Sequence, residues 1–305
     1  MNRKTLSIIL TLAAAVLLLV LLTVSFRQLT LRTEPQKEAQ GHLETISYRI
    51  RWAGNSYEKN AVIYVPASYD AAKPMNILYL MHGSGGSGEQ LAEAMEPLFD
   101  DWMQTGRMRP ALVVFPTYYP DRSYVTADYS ADYPLNHFFA AKELHRLIQA
   151  AEKNFHTYAD SISEADLRRS RRHRAFGGYS MGGVTTWDVL AYQSRYFSCF
   201  LPMAGDCWLN RATKAASTAD AAALLVRRLK EDGCRAEDIR IVAMVGGSDA
   251  TRYSIRPQIR ALRRSAPELF TDDNLLYWEN EGGGHNQTSL EQEVAHGARY
   301  LWTLR

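Results

Sequence analysis

Along the chain, short apolar runs alternate with stretches in which apolar residues recur every three or four positions. The runs are MNILYLM (75–81), ALVVFP (111–116), RAFGG (174–178), CFLPMAG (199–205), IRIVAMVGG (239–247) and NLLYWEN (274–280). Their length and β-branched or aromatic content predict strands, and continuous apolar character predicts strands covered on both faces. The helical periodicity predicts helices over roughly Glu89–Thr105, Leu135–Phe155, Met181–Tyr192, Thr213–Glu231, Tyr253–Ser265 and Ser289–Trp302. Ahead of them, ETISYRIRW (44–52) and NAVIYVP (60–66) read as an antiparallel pair joined by GNSYEK (54–59). Strand–helix alternation predicts an α/β fold with a mostly parallel central sheet and helices on both faces. In such sheets ligands bind beyond the carboxyl ends of the strands. The residues that follow each strand are therefore the ones to inspect.

The first residues follow a different pattern. Arg3 and Lys4 precede an uncharged, mainly apolar run from Thr5 to Phe26. A bilayer span needs roughly 20 such residues, and a signal-peptide core is shorter, roughly 7–15. An uncleaved signal anchor is the preferred reading and a cleaved signal peptide, with TVS (23–25) as its small-residue site, is the other. Both put the main domain outside the cytoplasm. RTEPQKEAQG (32–41) is polar and carries a proline, as a tether does. The expected organisation is a hydrophobic segment over 1–26, a tether over 27–41 and one domain over 42–305, with membrane contact through the N-terminal segment only.

The 305 residues suffice for one large α/β domain. A net charge of +2 gives no electrostatic case for nucleic acid as a partner. The densest basic cluster, LRRSRRHR (167–174), reads as a solvated turn before a strand. Three cysteines are too few for a disulfide scaffold. Cys207 can pair with Cys199 or with Cys234, or all three can stay buried free thiols.

GYSMG (178–182) lies between a predicted strand and a predicted helix. This is the G-x-S-x-G nucleophile elbow, in which a tight turn lifts a serine above the sheet edge at a helix N-terminus. Side chains two positions to either side would meet neighbouring backbone, which explains the glycines. A serine hydroxyl needs a base, and the base an orienting acid. On this architecture they follow in the order serine, acid, histidine. His285, in EGGGHNQTS after the last strand, is the base. Two acids compete. Asp249, in SDATRY after IRIVAMVGG, holds the commoner place, and Asp206, in LPMAGDCW, follows an earlier strand. An oxyanion hole needs two inward N–H groups. Met181, next after the serine, supplies one. The glycine-rich loop HGSGGSGEQ (82–90) supplies the other, with Ser84 chosen and Gly85 as alternative. PTYYPDRSYVTADYSADYP (116–134) carries five tyrosines, and Trp208 follows another strand end. Tyr118, Tyr119, Trp208 and Asp206 are therefore expected to line the substrate pocket. The sequence holds no H-E-x-x-H or Cys/His cluster, and neither metal nor cofactor is implied.

YLMHGSGGSGEQ, VVFPTYY, HRAFGGYSMGGVTTW, FLPMAGDCW, GSDATRYSIRPQI and GGGH occur in that order from Ile46 to Leu301. With these pieces the chain resembles the feruloyl esterases of carbohydrate esterase family one, such as the domains attached to bacterial xylanases. The resemblance implies an α/β-hydrolase fold and a Ser180–His285–Asp249 triad, favouring Asp249 over Asp206. It implies hydrolysis of hydroxycinnamoyl esters on plant xylan, with a small ester or a feruloylated oligosaccharide as substrate. Ser84 after HG, Cys207 inside the GDxW stretch and the anchor-like segment depart from the pattern. Relatives on this fold cleave acetyl or siderophore esters or transfer acyl groups, so these activities are the alternatives. A non-catalytic surface-binding module would not need an intact triad.

Overall fold

The computed structural model describes residues 2, 40–209, 211 and 217–304. The hydrophobic segment and nearly all of the tether lie outside the described residues. Residues 41–305 form one compact unit. Among the described residues no helix is long and apolar enough to cross a membrane.

The chain folds in the order β1 (His42–Trp52), β2 (Asn55–Val65), β3 (Asn76–Met81), α1 (Gly88–Gln104) and β4 (Ala111–Phe115). Then come α2 (Tyr133–Phe138), a π-helical turn (Phe139–Glu143), α3 (Leu144–Asn154), α4 (Glu164–Arg169), β5 (Arg174–Tyr179) and α5 (Met181–Gln193). The last elements are β6 (Cys199–Met203), α6 (Thr218–Glu231), β7 (Arg240–Gly246), α7 (Arg252–Ser265), β8 (Leu275–Asn280) and α8 (Gln287–Ala298). The eight strands form one sheet in the order β1-β2-β4-β3-β5-β6-β7-β8. β1, β2 and β4 pair antiparallel in turn, and all remaining pairs are parallel. This is the expected α/β architecture. Every residue of β4, β5 and β6 is buried, as strands covered on both faces require. β1, at the sheet edge, instead alternates buried Ile46, Tyr48 and Ile50 with exposed neighbours.

Four local expectations change. The loop GNSYEK is strand from Asn55 onward, because Ala53 (φ 49°) and Gly54 (φ 86°) alone make the turn. Two positive φ angles are the signature of a two-residue hairpin matched to strand twist. The expected Leu135–Phe155 helix begins at Tyr133 and widens into the π turn at Phe139–Glu143. The widening accompanies burial of Glu143, whose Oε1 accepts from Tyr48 Oη (2.7 Å) and the buried Lys59 ammonium (2.5 Å). The last helix stops at Ala298 and gives way to turns in which Tyr300 and Leu301 N–H donate to Gly297 and Ala298. Of the expected Thr213–Glu231 helix, Thr218 onward is helical and residues 213–216 lie outside the described residues.

The arginine cluster is solvated only in part: Arg168, Arg169 and Arg172 are exposed, whereas Arg171 and Arg174 turn inward. Arg174 is 1% exposed, and its Nε and Nη2 donate to the two carboxylate oxygens of Glu152, at 2.5 and 2.9 Å. Arg171 donates to the carbonyls of Ser194, Phe197 and Asp238. These side chains tie the start of β5 to the chain that leads into β6 and β7. The cysteines are all free, and burial pushes the Cys199 thiol up to about 12.

Candidate active site

Five strand ends converge on one patch. β5 runs directly into Ser180, which holds φ 57° and ψ −118° before α5 begins at Met181. A non-glycine residue in this region is strained and persists only where its surroundings enforce it. Here they do. A Cβ on Gly182 would lie 2.3 Å from the Met81 carbonyl oxygen, and one on Gly178 would lie 2.4 Å from the Gly182 oxygen. Only glycine at both positions lets β5, the turn and β3 approach this closely.

The turn sets the Ser180 hydroxyl 2.9 Å from Nε2 of His285. His285 sits on the glycine-rich loop between β8 and α8, and its Nδ1 lies 2.7 Å from Oδ2 of Asp249. Asp249, just past β7, is 2% exposed. Its Oδ1 accepts from the N–H and the hydroxyl of Thr251, both at 2.8 Å. Burial by itself raises this carboxyl's pKa. The hydrogen bonds from His285 and Thr251 outweigh it and hold the group below the ordinary carboxylate value. An ionised Asp249 keeps the proton on Nδ1, which leaves Nε2 as the acceptor facing Ser180. Tyr179 also packs on the imidazole, with ring centroids 5.0 Å apart, and its hydroxyl donates to Gly284 O at 3.3 Å.

The structure does not bring Asp206 to the imidazole. Its Oδ1 accepts from the Trp208 indole N–H at 3.2 Å. Burial pushes the Asp206 carboxyl up, and the indole bond only partly offsets this.

The loop after β3 lies against the serine. A Cβ on Gly83 would be 3.2 Å from Ser180 Cβ. Gly85, the alternative oxyanion donor, is already committed: its N–H donates to Tyr119 Oη at 2.9 Å. Among the described residues no atom accepts from the Ser84 N–H. Of the two loop candidates, Ser84 is therefore the one whose amide is uncommitted. His82, at the base of the loop, has both ring nitrogens engaged, by Gly83 O and Thr117 Oγ1. Burial lowers its pKa to about 4, so it is a neutral anchor rather than a base.

The expectation for Tyr118 and Tyr119 is corrected. Each is 1% exposed and packs on His82, Tyr119 stacked and Tyr118 tilted, with its hydroxyl bonded to Asp132. The cavity that Tyr119 lines, with Ser87, Thr117 and Arg122, does not include Ser180 or His285. Past the end of β6, Trp208 (7% exposed) packs against the buried Tyr133 (ring centroids 5.8 Å) and against Tyr129 (6.2 Å, 59% exposed). The Arg211 guanidinium stacks on Trp208 at 3.3 Å. Among the described residues no cluster of three or more His, Cys, Asp or Glu side chains is arranged to hold a metal ion.

Tyr179, Thr251, His82 and Asp132 were not singled out from the sequence. Tyr179 and Thr251 flank the serine and the acid within two residues, and that adjacency was the available signal.

No family model matches the chain. It is 28% identical over 225 residues to endo-1,4-beta-xylanase Y of Acetivibrio thermocellus. That match takes in 73% of this chain and 19% of the xylanase, so the chain spans about a fifth of the length of the curated relative it matches. The fold superposes on a serine-to-alanine mutant of the feruloyl esterase module from Clostridium thermocellum, solved with sinapinate. The TM-score is 0.75 at 25% identity, covering 88% of this chain and 90% of that one. A ferulic acid esterase of carbohydrate esterase family one from Anaeromyces mucronatus superposes with a TM-score of 0.66 at 15% identity, covering 89% and 94%.

Fold and neighbours together define a serine ester hydrolase of the α/β-hydrolase class. Within that class, the resemblance to the feruloyl esterases of carbohydrate esterase family one is borne out.

Proposed function

We propose that this enzyme releases hydroxycinnamic acids of the ferulate type from esters on plant cell-wall polysaccharide. The hydrogen-bonded chain Ser180–His285–Asp249 carries the reading, at 2.9 and 2.7 Å. His285 Nε2 takes the Ser180 proton as Oγ attacks the ester carbonyl. The imidazolium so formed is stabilised by Asp249 and then protonates the departing alcohol. The Ser84 and Met181 N–H groups meet the oxyanion. Water, deprotonated by His285, attacks the acyl-enzyme and releases the acid. The acyl group is assigned on two supports. The neighbour module was solved with sinapinate, a hydroxycinnamate, and the exposed Tyr129 packs on Trp208, which follows the end of β6.

The domain is proposed to act outside the cytoplasm, delivered by residues 1–26. Arg3 and Lys4 ahead of the apolar run support this orientation.

Hydrolysis of methyl ferulate and of 4-nitrophenyl acetate by the 41–305 unit tests the substrate class, with Ser180→Ala as the blank. Rapid ferulate release that the blank lacks is the expected result. Cleavage of acetate without ferulate would overturn the hydroxycinnamoyl assignment and leave a small-acyl esterase. Trp208→Ala should raise KM for methyl ferulate about tenfold, the worth of one aromatic contact with its buried area. KM for the acetate, which has no ring to stack, should stay within about twofold by the same reasoning. Equal effects on both substrates would remove Trp208 from the acyl pocket.

A further inference from the structure

One buried carboxylate, Asp132, sits behind the oxyanion loop with no ion-pair partner among the described residues. Asp132, just before α2, is 1% exposed. Its Oδ2 accepts from Ser84 Oγ at 2.6 Å, Tyr119 Oη at 2.8 Å and Tyr118 Oη at 3.2 Å. Tyr119 Oη in turn accepts the Gly85 N–H. Two consecutive residues of the loop are thus held from one oxygen, Ser84 by its side chain and Gly85 by its amide. Arg122 closes the other side by donating to Gly85 O (3.1 Å) and Gly86 O (2.6 Å).

The consequence concerns which amide faces the serine. Gly85 holds φ 74° and commits its N–H to Tyr119. The Ser84 N–H is left free while its side chain is fixed. Asp132 thus acts on the loop by geometry, through the bonds that fix which amide is left uncommitted.

Resting on the ester-hydrolase reading above, we propose that Asp132 is the positioning residue of the oxyanion hole, aiming the Ser84 N–H through Ser84 Oγ and the Tyr119–Gly85 hydrogen bond. It touches no substrate atom. Every ester passes through the same oxyanion, so the effect is independent of the acyl group. That separates it from a pocket residue, which acts through KM and discriminates between substrates.

The test measures kcat and KM for 4-nitrophenyl acetate and methyl ferulate in Asp132→Ala, Asp132→Asn and Ser84→Ala. Asp132→Ala should lower kcat about 10- to 100-fold on both esters with KM nearly unchanged, the range for a misplaced oxyanion donor. Asp132→Asn keeps an oxygen that accepts and should recover most of the loss. Ser84→Ala keeps the backbone amide but loses the side-chain grip. It should cost about fivefold in kcat, less when Asp132 is already alanine, since contacts on one path are not additive. A loss confined to KM, unequal losses on the two esters, or an asparagine variant as impaired as the alanine would each overturn the proposal. If Asp132→Ala does not fold, Ser84→Ala carries the test, and an unchanged kcat there overturns it. Failure of the wild type to cleave either ester would instead strike the underlying ester-hydrolase reading.

Discussion

Asp249→Asn should lower kcat for 4-nitrophenyl acetate by about 10⁴-fold, the cost of an asparagine in a serine–histidine–acid constellation. The structure says why so small a change does so much. Oδ2 of Asp249 accepts from His285 Nδ1, and Oδ1 is occupied by Thr251 N–H and Oγ1. An asparagine keeps its carbonyl oxygen toward the two Thr251 donors, because turning it would set an amide N–H against them. Its NH₂ group then faces Nδ1 and donates to it. The imidazole is locked as the wrong tautomer, with its proton on Nε2 pointing at Ser180. Shape and volume are nearly conserved, so the variant should unfold within a few degrees of the wild type. Asp206→Asn is the contrasting variant. It changes the partner of the Trp208 indole and leaves the imidazole untouched, so kcat should fall less than about tenfold, the scale of one neutral hydrogen bond. The reverse pattern would move the acid to Asp206.

The parallel strands were legible because strands covered on both faces are continuous apolar runs. Ser180, Asp249 and His285 were legible for a related reason: each stands within a few residues of a strand's end, on punctuation that only a tight turn needs. What escaped depends on long-range burial. Tyr118 and Tyr119 read as a pocket wall because tyrosines in a loop look the same whether they face out or in. Asp132 converts them into a buried support, and nothing local distinguishes it from the exposed Asp121 and Asp128 of the same loop. Arg174 likewise looked solvated among its arginine neighbours. Glu152, which accounts for its burial, lies on another element. The choice between Ser84 and Gly85 required knowing where the Gly85 amide points.

Stability against pH should separate Glu293→Gln from the wild type by about 2 kcal/mol between pH 6.5 and 8, at about 1.4 kcal/mol per unit for one differentially titrating group. Glu293 lies on the inner face of α8, is wholly buried, and neither carboxyl oxygen has a partner among the described residues. Burial first, and then the charge of Asp249, push its pKa up to about 8. In the unfolded chain the same group ionises near its ordinary value of 4.5. Between those limits the unfolded state has released a proton that the native state keeps, so rising pH favours unfolding. The loss begins near pH 4.5 and levels off above about 8. His82 works in the other direction. With its folded pKa lowered to about 4, it makes stability rise with pH only until the unfolded histidine loses its proton, near 6.5. The two oppose each other in acid, and the interval above pH 6.5 shows Glu293 unopposed by His82. Glutamine brings its own cost, two amide hydrogens in an apolar site, but that cost does not vary with pH and drops out of the slope. Denaturant midpoints for both proteins at pH 5, 6.5 and 8 should therefore converge or diverge with pH according to Glu293 alone. Parallel curves would mean that its carboxyl is already ionised in the native state, held by a charge partner or solvent that its buried position on α8 does not provide.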